Sequence, residues 1–334
     1  MRIVTYNVEW MNSLFNDDGA LLTHGGWSGR QNVTLADQSS ALRTVFTALD
    51  ADAVMIVEAP DDSKDRNCVR ALESFARWAG LRARKAIIGF GNTTQQEIAL
   101  LYDPDVLSVS HDPKAAQDAP RFDDSFAIDL DIDATKDTVT FSKPPLELAV
   151  ETRGGFGFRM IGAHLKSKAP HGAKSRDGVM RLSIANRRKQ LAQAIWLRAR
   201  IAAHLAEETP LMVMGDLNDG PGLDEYEHLF GRSSVEIILG NAPEPVLFDP
   251  HAARALQRKL GAVPTTARFW IEPDKRFLQA LLDYIMISPD LAARDPRWRI
   301  WHPLDDPVCW ARPELRDALV AASDHFPVSL DIAL

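Results

Sequence analysis

The feature that most constrains this chain is the run Leu-Met-Val-Met-Gly-Asp-Leu-Asn-Asp from Leu211 to Asp219. Four consecutive apolar residues fit a strand buried on both faces, and the polar residues that follow at once end it at a polar site. Asp216 and Asn218 are two residues apart, so a strand carried that far points a carboxylate and an amide the same way. That pair suits a hard cation and a phosphate oxygen. The competing reading is a plain turn, because Gly, Asp and Asn are ordinary turn residues. How often the rest of the chain repeats the pattern decides between the two.

It repeats along the whole length. Arg2 to Val8 reads as a strand ending on Asn7, with Glu9 just beyond. Ala53 to Val57 is a short buried strand that ends at Glu58. Phe158 to Ala163 runs into His164, and Leu281 to Ile287 carries Asp283 inside an apolar run. A lone buried carboxylate is costly, so Asp283 is expected to have a partner. Asp324 and His325 stand directly before the last strand. Each of these residues alone is ordinary, and His164 has the alternative reading of a strand-end histidine bonded to backbone. Together they form an oxygen-rich set that selects Mg2+ or Mn2+ over zinc, with histidines to move protons.

Between the strands, Leu42, Val45, Phe46 and Leu49 predict a helix over Leu35 to Leu49, and a second period predicts one from Arg66 to Ala79, stopped by Gly80. A third helix, through Leu191, Ile195, Ala202 and Leu205, feeds the Leu211 strand. Ile98 to Tyr102 and Leu146 to Glu151 are further strands, the latter joined to Phe158 through Gly154-Gly155. Helix–strand alternation mixed with hairpins implies strands of both senses in one core.

With 334 residues, 46% of them hydrophobic, the chain is long enough for two average domains or one large one, and no linker or repeat divides it. A net charge of -8 argues against holding nucleic acid by general surface electrostatics, while leaving room for a local basic groove. Cys68 and Cys309 have no zinc spacing and suit a reducing compartment. There is no signal-like N-terminus and no apolar run of about 18 residues. A monomeric, cytoplasmic protein without a membrane span is the expectation.

Three stretches stand apart. Ser110 to Phe141 accumulates Asp118, Asp123, Asp124, Asp129, Asp131, Asp133 and Asp137 without the Gly and Glu of a calcium loop, and reads as a solvated acidic insertion. After His164, Lys166, Lys168, Lys174, Arg176, Arg181, Arg187, Arg188 and Lys189 crowd together against Asp177. Asp295 to Arg316 reads as a loop holding Trp298, Trp301 and Trp310.

The motifs Tyr-Asn-Val at Asn7, Ile-Val-Glu at Glu58, Ala-His-Leu at His164, Gly-Asp-Leu-Asn at Asp216, Leu-Asp-Tyr-Ile at Asp283 and Ser-Asp-His-Phe-Pro-Val at Asp324 stand in one order from end to end. In that order they resemble the endonuclease/exonuclease/phosphatase superfamily, nearest to its bacterial nuclease-like members. The resemblance implies a DNase I-like four-layer α/β sandwich, two mixed sheets face to face with helices outside, as one domain over 1–334. It also implies roles. Glu58 is the principal metal ligand with Asn7 and Asp324, and Glu9 is a weaker candidate. His325 is the general base, oriented by Asp283. Asp216 positions water or a second metal, Asn218 holds a phosphate oxygen, and His164 donates to the phosphate or leaving group. The Tyr and Glu pair of DNase I-like members is incomplete here, leaving Glu97 as a candidate partner for His164.

The motifs specify the fold more than the substrate. A nucleic-acid phosphodiesterase is the first expectation, with Lys166, Lys168 and Arg188 along a phosphate path and Trp301 and Trp310 as stacking platforms. The alternative is a hydrolase of a small or lipid-derived phosphoester, favoured by the acidic balance. A non-catalytic scaffold is the third reading, and the intact ligand set argues against it.

Overall fold

Strands that are apolar on both faces must be covered on both faces, and this chain does so with a second sheet on one side and helices on the other. The computed structural model describes residues 1–116, 118–128, 137–170, 172–173, 175–221, 231–257, 263–271 and 275–334. One mixed sheet contains β1 (Arg2–Asn7), β2 (Ala53–Ala59), β3 (Lys85–Ile88), β4 (Glu97–Tyr102), β14 (Arg297–Ile300) and β15 (Val328–Asp331), in the order β14-β15-β1-β2-β4-β3. The other contains β5 (Leu107–His111), β8 (Leu146–Thr152), β9 (Gly157–His164), β10 (Leu211–Asp216) and β13 (Asp283–Ile287), in the order β13-β10-β9-β8-β5. Within these sheets β1 runs parallel to β2 and β9 parallel to β10, while the other pairs are antiparallel. Two ribbons stand outside them, β6 (Phe126–Ile128) with β7 (Asp137–Val139), and β11 (Ala267–Ile271) with β12 (Arg276–Ala280).

The inner faces meet in a dry layer built from Met55, Ile98 and Leu100 on one sheet and Leu148, Met160, Met214 and Ile285 on the other. Gly162 lets them approach, since a Cβ there would lie 2.4 Å from Met55 Sδ. On the outside of the first sheet lie α1 (Leu35–Leu49), α2 (Cys68–Ala79) and the helix Pro313–Ala322. Thr34 caps α1 by accepting from the Asp37 amide, and α2 ends at Gly80 in the left-handed region, as its sequence predicts. Leu42, Leu49 and Phe75 are fully buried, each stabilising the fold by about 1.5–3 kcal/mol. On the outside of the second sheet lie α3 (Arg176–Ala206) and the short helix Ser234–Leu239. The molecule is therefore an α/β sandwich in four layers, the expected architecture.

Two sequence expectations need correction. The acidic stretch is not simply solvated, because Phe122 and Phe141 are buried against Trp196 of α3, with Val139 in the same core, and the Trp196 indole donates to the Pro120 carbonyl at 2.9 Å. Asp129, Asp131 and Asp133, like Lys174 of the basic stretch, lie outside the described residues. The segment from Asp295 to Arg316 is not a loop throughout. It supplies edge strand β14 and the helical turn Pro307–Trp310. The alternation Arg-Trp-Arg-Ile puts Trp298 against the inter-sheet core and leaves Arg297 exposed.

Candidate active site

The strand registers do most of the assembly. Asp216, the last residue of β10, sits opposite Asp283 on β13 and beside His164 on β9. Three neighbouring strand ends thus present a carboxylate, a second carboxylate and an imidazole at one edge. The first sheet joins through Asn7, whose Nδ2 donates to Asp216 Oδ2 at 3.0 Å across the sandwich. His325 completes the group, its Nδ1 2.7 Å from Asp283 Oδ2 and its Nε2 4.0 Å from Asp216 Oδ2. His164 Nε2 lies 3.7 Å from the same Asp216 oxygen.

Backbone conformation aims two further members. Glu58 lies within a register shift between β2 and β4 and has φ 60, so a bulge turns its carboxylate out of the strand. Asn218 has φ 51, its amide donates to Asp216 Oδ1 at 2.8 Å, and its Nδ2 lies 3.2 Å from Asp216 Oδ2. Left-handed conformations of non-glycine residues cost about 1–3 kcal/mol each and persist where the surroundings hold them. β10 ends at Asp216, so Asp216 and Asn218 do not share a strand face. A turn brings them together, so the turn reading of Gly-Asp-Leu-Asn-Asp holds and places Asn218 beside Asp216. Gly215 is obligatory, with φ 133 and room for no Cβ, which would lie 2.0 Å from the Ala163 carbonyl oxygen.

Four supporting residues escaped sequence reasoning. Ser323 accepts from the amides of Glu9 and His325 and donates to the Asn7 carbonyl, tying three site segments together. Thr266 donates to Asp283 Oδ2 at 2.8 Å and accepts from the Asp283 amide, fixing the carboxylate that orients His325. Lys143 places its Nζ 3.4 Å from His164 Nε2. Arg30 pairs with Glu9 and donates to the Val320 carbonyl. Ser323 stood visible in Ser-Asp-His; the other three are distant in sequence from any motif. Glu97 does not partner His164: its carboxylate accepts from Asn92 Nδ2 at 2.8 Å, and burial pushes it up to about 7.

Burial and crowding set the electrostatics. Burial raises Asp216 above the usual carboxylate range; His325 opposes the rise and Asp283 reinforces it. Burial also raises Glu58, and for Glu9 the neighbouring Asp324 adds to it. His325 would be pulled down by burial, but Asp283, Asp216 and Asp324 outweigh that and hold it well above the usual imidazole value. His164 is driven well below by burial, with Lys143 adding, so it is neutral near pH 7 and offers a hydrogen bond rather than a charge. Lys143 is lowered by burial but faces Glu58 and Asp216, which oppose the loss of its proton.

This arrangement fits a hard divalent cation. Asn7 Oδ1 and Asp283 Oδ1 are buried acceptors without a donor, and burial, reinforced by mutual repulsion, raises the proton affinity of the surrounding carboxylates against the pull of Arg30, Lys143 and His325. Oxygen donors in excess are what Mg2+ or Mn2+ requires. Among the described residues, Asp216, Asp283 and His325 offer ligand atoms within 4.8 Å of one another. The ligand set expected from the sequence is Glu58, Asn7 and Asp324, and the weaker candidate Glu9 is engaged by Arg30.

The expected substrate-binding residues fare unevenly. Lys166 is half-buried beside His164, whose charge balance it influences. Lys168 is tied to Asp219 at 2.6 Å, and neighbouring Arg187 is buried on the same carboxylate at 2.6 Å. Arg188 is half-buried on α3. Trp301 is 4% exposed, donates to Ser329 Oγ and lies beneath Arg299, so it belongs to the core and offers no stacking face. Trp310 is exposed with Arg316 over its ring, and lines neither cleft that borders the cluster.

The fold and the strand-end cluster together define an α/β-sandwich protein of the DNase I-like kind. The family model for the endonuclease/exonuclease/phosphatase family matches residues 4–325, and the chain belongs to that family. Its members are phosphoester hydrolases that generally use divalent metal ions. Similar solved structures include TDP2 from C. elegans, at 15% identity over 98% of this chain and 74% of that one, with a TM-score of 0.51. A mannosyl-6-phosphatase from Bacteroides thetaiotaomicron is 16% identical over 100% of both chains, with a TM-score of 0.50. The 3' phosphatase NExo from Neisseria, bound to product DNA hairpin, is 15% identical over 100% of both, with a TM-score of 0.50. At these identities the likeness establishes the fold alone. No match was found among curated proteins. Among the described residues, no helix is long and apolar enough to cross a membrane.

Proposed function

We propose that this chain is a divalent-metal-dependent phosphoester hydrolase, folded as one domain over 1–334, that works by His-activated attack of water. The observation that carries the reading is the His325–Asp283 pair at 2.7 Å, facing an oxygen-rich cluster built from both sheets. Asp283 holds the His325 ring through Nδ1 and turns Nε2 toward the cluster; a cation bound there would offset the carboxylates that keep His325 charged and so leave Nε2 free to take the proton from water. Thr266 keeps Asp283 in place. Asp216, central to the cluster, orients that water from 4.0 Å beyond Nε2. Glu58, Asn7 and Asp324 would hold a Mg2+ or Mn2+, which would supply positive charge for the phosphoryl group. Asn218 and neutral His164 add hydrogen bonds to the phosphate, and Lys143 supplies the fixed charge that His164 cannot.

Two substrate classes suit this chemistry. A long nucleic-acid track loses support because Lys168 and Arg187 are committed to Asp219 and Trp301 is buried. A compact or chain-end phosphoester is the better fit. The nuclease reading retains Lys143 and Lys166 beside His164 as its support. The test returns Mg2+ or Mn2+ to metal-stripped protein and compares a small aryl phosphodiester with supercoiled plasmid, using Glu58→Gln as the control for contaminating nuclease. Turnover of the small ester without nicking supports the compact substrate. Nicking that depends on Glu58 moves the assignment to nuclease, and metal-independent turnover removes the mechanism.

A further inference from the structure

Beside the cluster, on the Glu9 and Asp324 side, lies a cleft of about 510 Å³ walled by the β11–β12 ribbon, the Pro303-Leu304 turn and the Arg30 segment. A smaller apolar cleft of about 260 Å³ lies on the opposite side of the ribbon, reaching Asn218, and Phe269 lines both. A phosphate at the cluster would thus have one pocket on either hand. The two differ in a single chemical respect that matters here.

Arg268 lines the larger cleft, anchored by its backbone amide to the Asp324 carbonyl at 2.7 Å. Its guanidinium stacks 3.7 Å over the Phe277 ring, and Trp270 packs edge-on against that ring at 5.1 Å. Yet its Nε is buried with no acceptor, and its side chain makes no hydrogen bond or ion pair among the described residues. The other arginine of the cleft, Arg30, is already engaged by Glu9 and the Val320 carbonyl. A half-buried guanidinium is partly desolvated, and an aromatic face offsets that only in part. Its planar donors suit a carboxylate or phosphate. Two aromatic side chains, each about half exposed, stand ready at the same wall for a flat ring. The volume admits a ligand of nucleotide size and is far too small for a duplex.

We propose that this cleft recognises the body of the substrate, and that Arg268 binds a second anionic group, distinct from the scissile phosphate, on a compact phosphoester. The inference rests on the hydrolase reading above and narrows it. The substrate carries two negative groups, one at the cluster and one at Arg268, with a ring against Trp270 and Phe277. Arg268 acts on specificity and takes no part in the chemical step.

The experiment measures binding and turnover separately. Binding is read by equilibrium dialysis of thymidine 5'-phosphate and thymidine 3',5'-bisphosphate to wild type, Arg268→Gln and Arg268→Lys, each shown to be folded by its thermal melt. The wild type should prefer the bisphosphate by about tenfold to a hundredfold, the worth of a charge-assisted hydrogen bond. Arg268→Gln should abolish the preference without changing the monophosphate affinity, and Arg268→Lys should restore part of it. A wild type indifferent to the second phosphate, or a preference that survives Arg268→Gln, overturns the proposal. Turnover with Mg2+ of the matching 5'-nitrophenyl esters, with and without the 3'-phosphate, tests the reading beneath it. Preference in binding with no hydrolysis of either ester keeps the anion site and refutes the hydrolase. Equal hydrolysis of both with no binding preference does the reverse.

Discussion

Asp216 and Asp219 lie three residues apart at the end of one strand, both buried, and their surroundings push them in opposite directions. Burial raises both. For Asp219 the rise is outweighed by Lys168 and Arg187, each 2.6 Å away, with the Ser234 and Gly220 amides at 2.6 and 2.9 Å. For Asp216 the neighbours are Asp283, two imidazoles and two amides, and its proton affinity stays raised. Asp219 is a completed buried ion cluster that clamps the loop after β9 to α3. Asp216 belongs to a buried group whose carboxylates His325 and Lys143 do not bring back to the ordinary range, and a group left in that state is prepared for a ligand. Neutralisation, more than burial, separates the structural carboxylate from the functional one.

The largest effect that would test this contrast is on rate. His325→Ala should lower turnover of an aryl phosphodiester by about a hundred- to ten-thousand-fold if His325 is the general base. Near wild-type turnover would remove it from the mechanism. On the other side of the comparison, Asp219→Ala leaves the buried Arg187 beside the half-buried Lys168 without their carboxylate and should cost about 3–5 kcal/mol in urea unfolding. A loss under 1 kcal/mol, the exposed-pair range, would mean that the cluster holds nothing together.

Glu58→Gln should raise the metal concentration needed for half-maximal activity on the order of tenfold, while protein stability changes little. An unchanged metal titration would point to another ligand. The smallest effect concerns Asp216 in metal-free protein. Because its folded-state proton affinity lies above that of the unfolded chain, stability should rise as pH falls from neutrality toward the ordinary carboxylate range. Asp216→Asn should flatten that dependence and stabilise the metal-free protein at pH 7 by about 1 kcal/mol. A loss of stability instead would place Asp216 with Asp219 as a structural group.

Much of the fold was legible because its signals are local. The period of Leu42, Val45, Phe46 and Leu49 needs only the helical repeat, and α1 spans the predicted Leu35 to Leu49. The six motif segments announce strand ends because an apolar run stops at a polar side chain. Lys143, Thr266 and Arg30 gave no such signal, since each reaches the site from a segment whose local pattern is unremarkable. Trp301 misled for the opposite reason: a tryptophan near a site looks like a binding surface until a serine on the neighbouring strand is seen to receive its indole. Lys168 and Arg187 read as a basic path, yet their partner Asp219 lies 51 and 32 residues away.

The sequence by itself determined the main helices, most strands of the two sheets and the family to which the chain belongs, because periodicity and strand-end chemistry are written within a few residues of each other. Only the tertiary structure decided which charges are matched and which are left over. Pairing energy depends on distance across the fold, and the chain does not show which of its cations will reach Asp219, which will reach Glu9, and that Arg268 will reach neither.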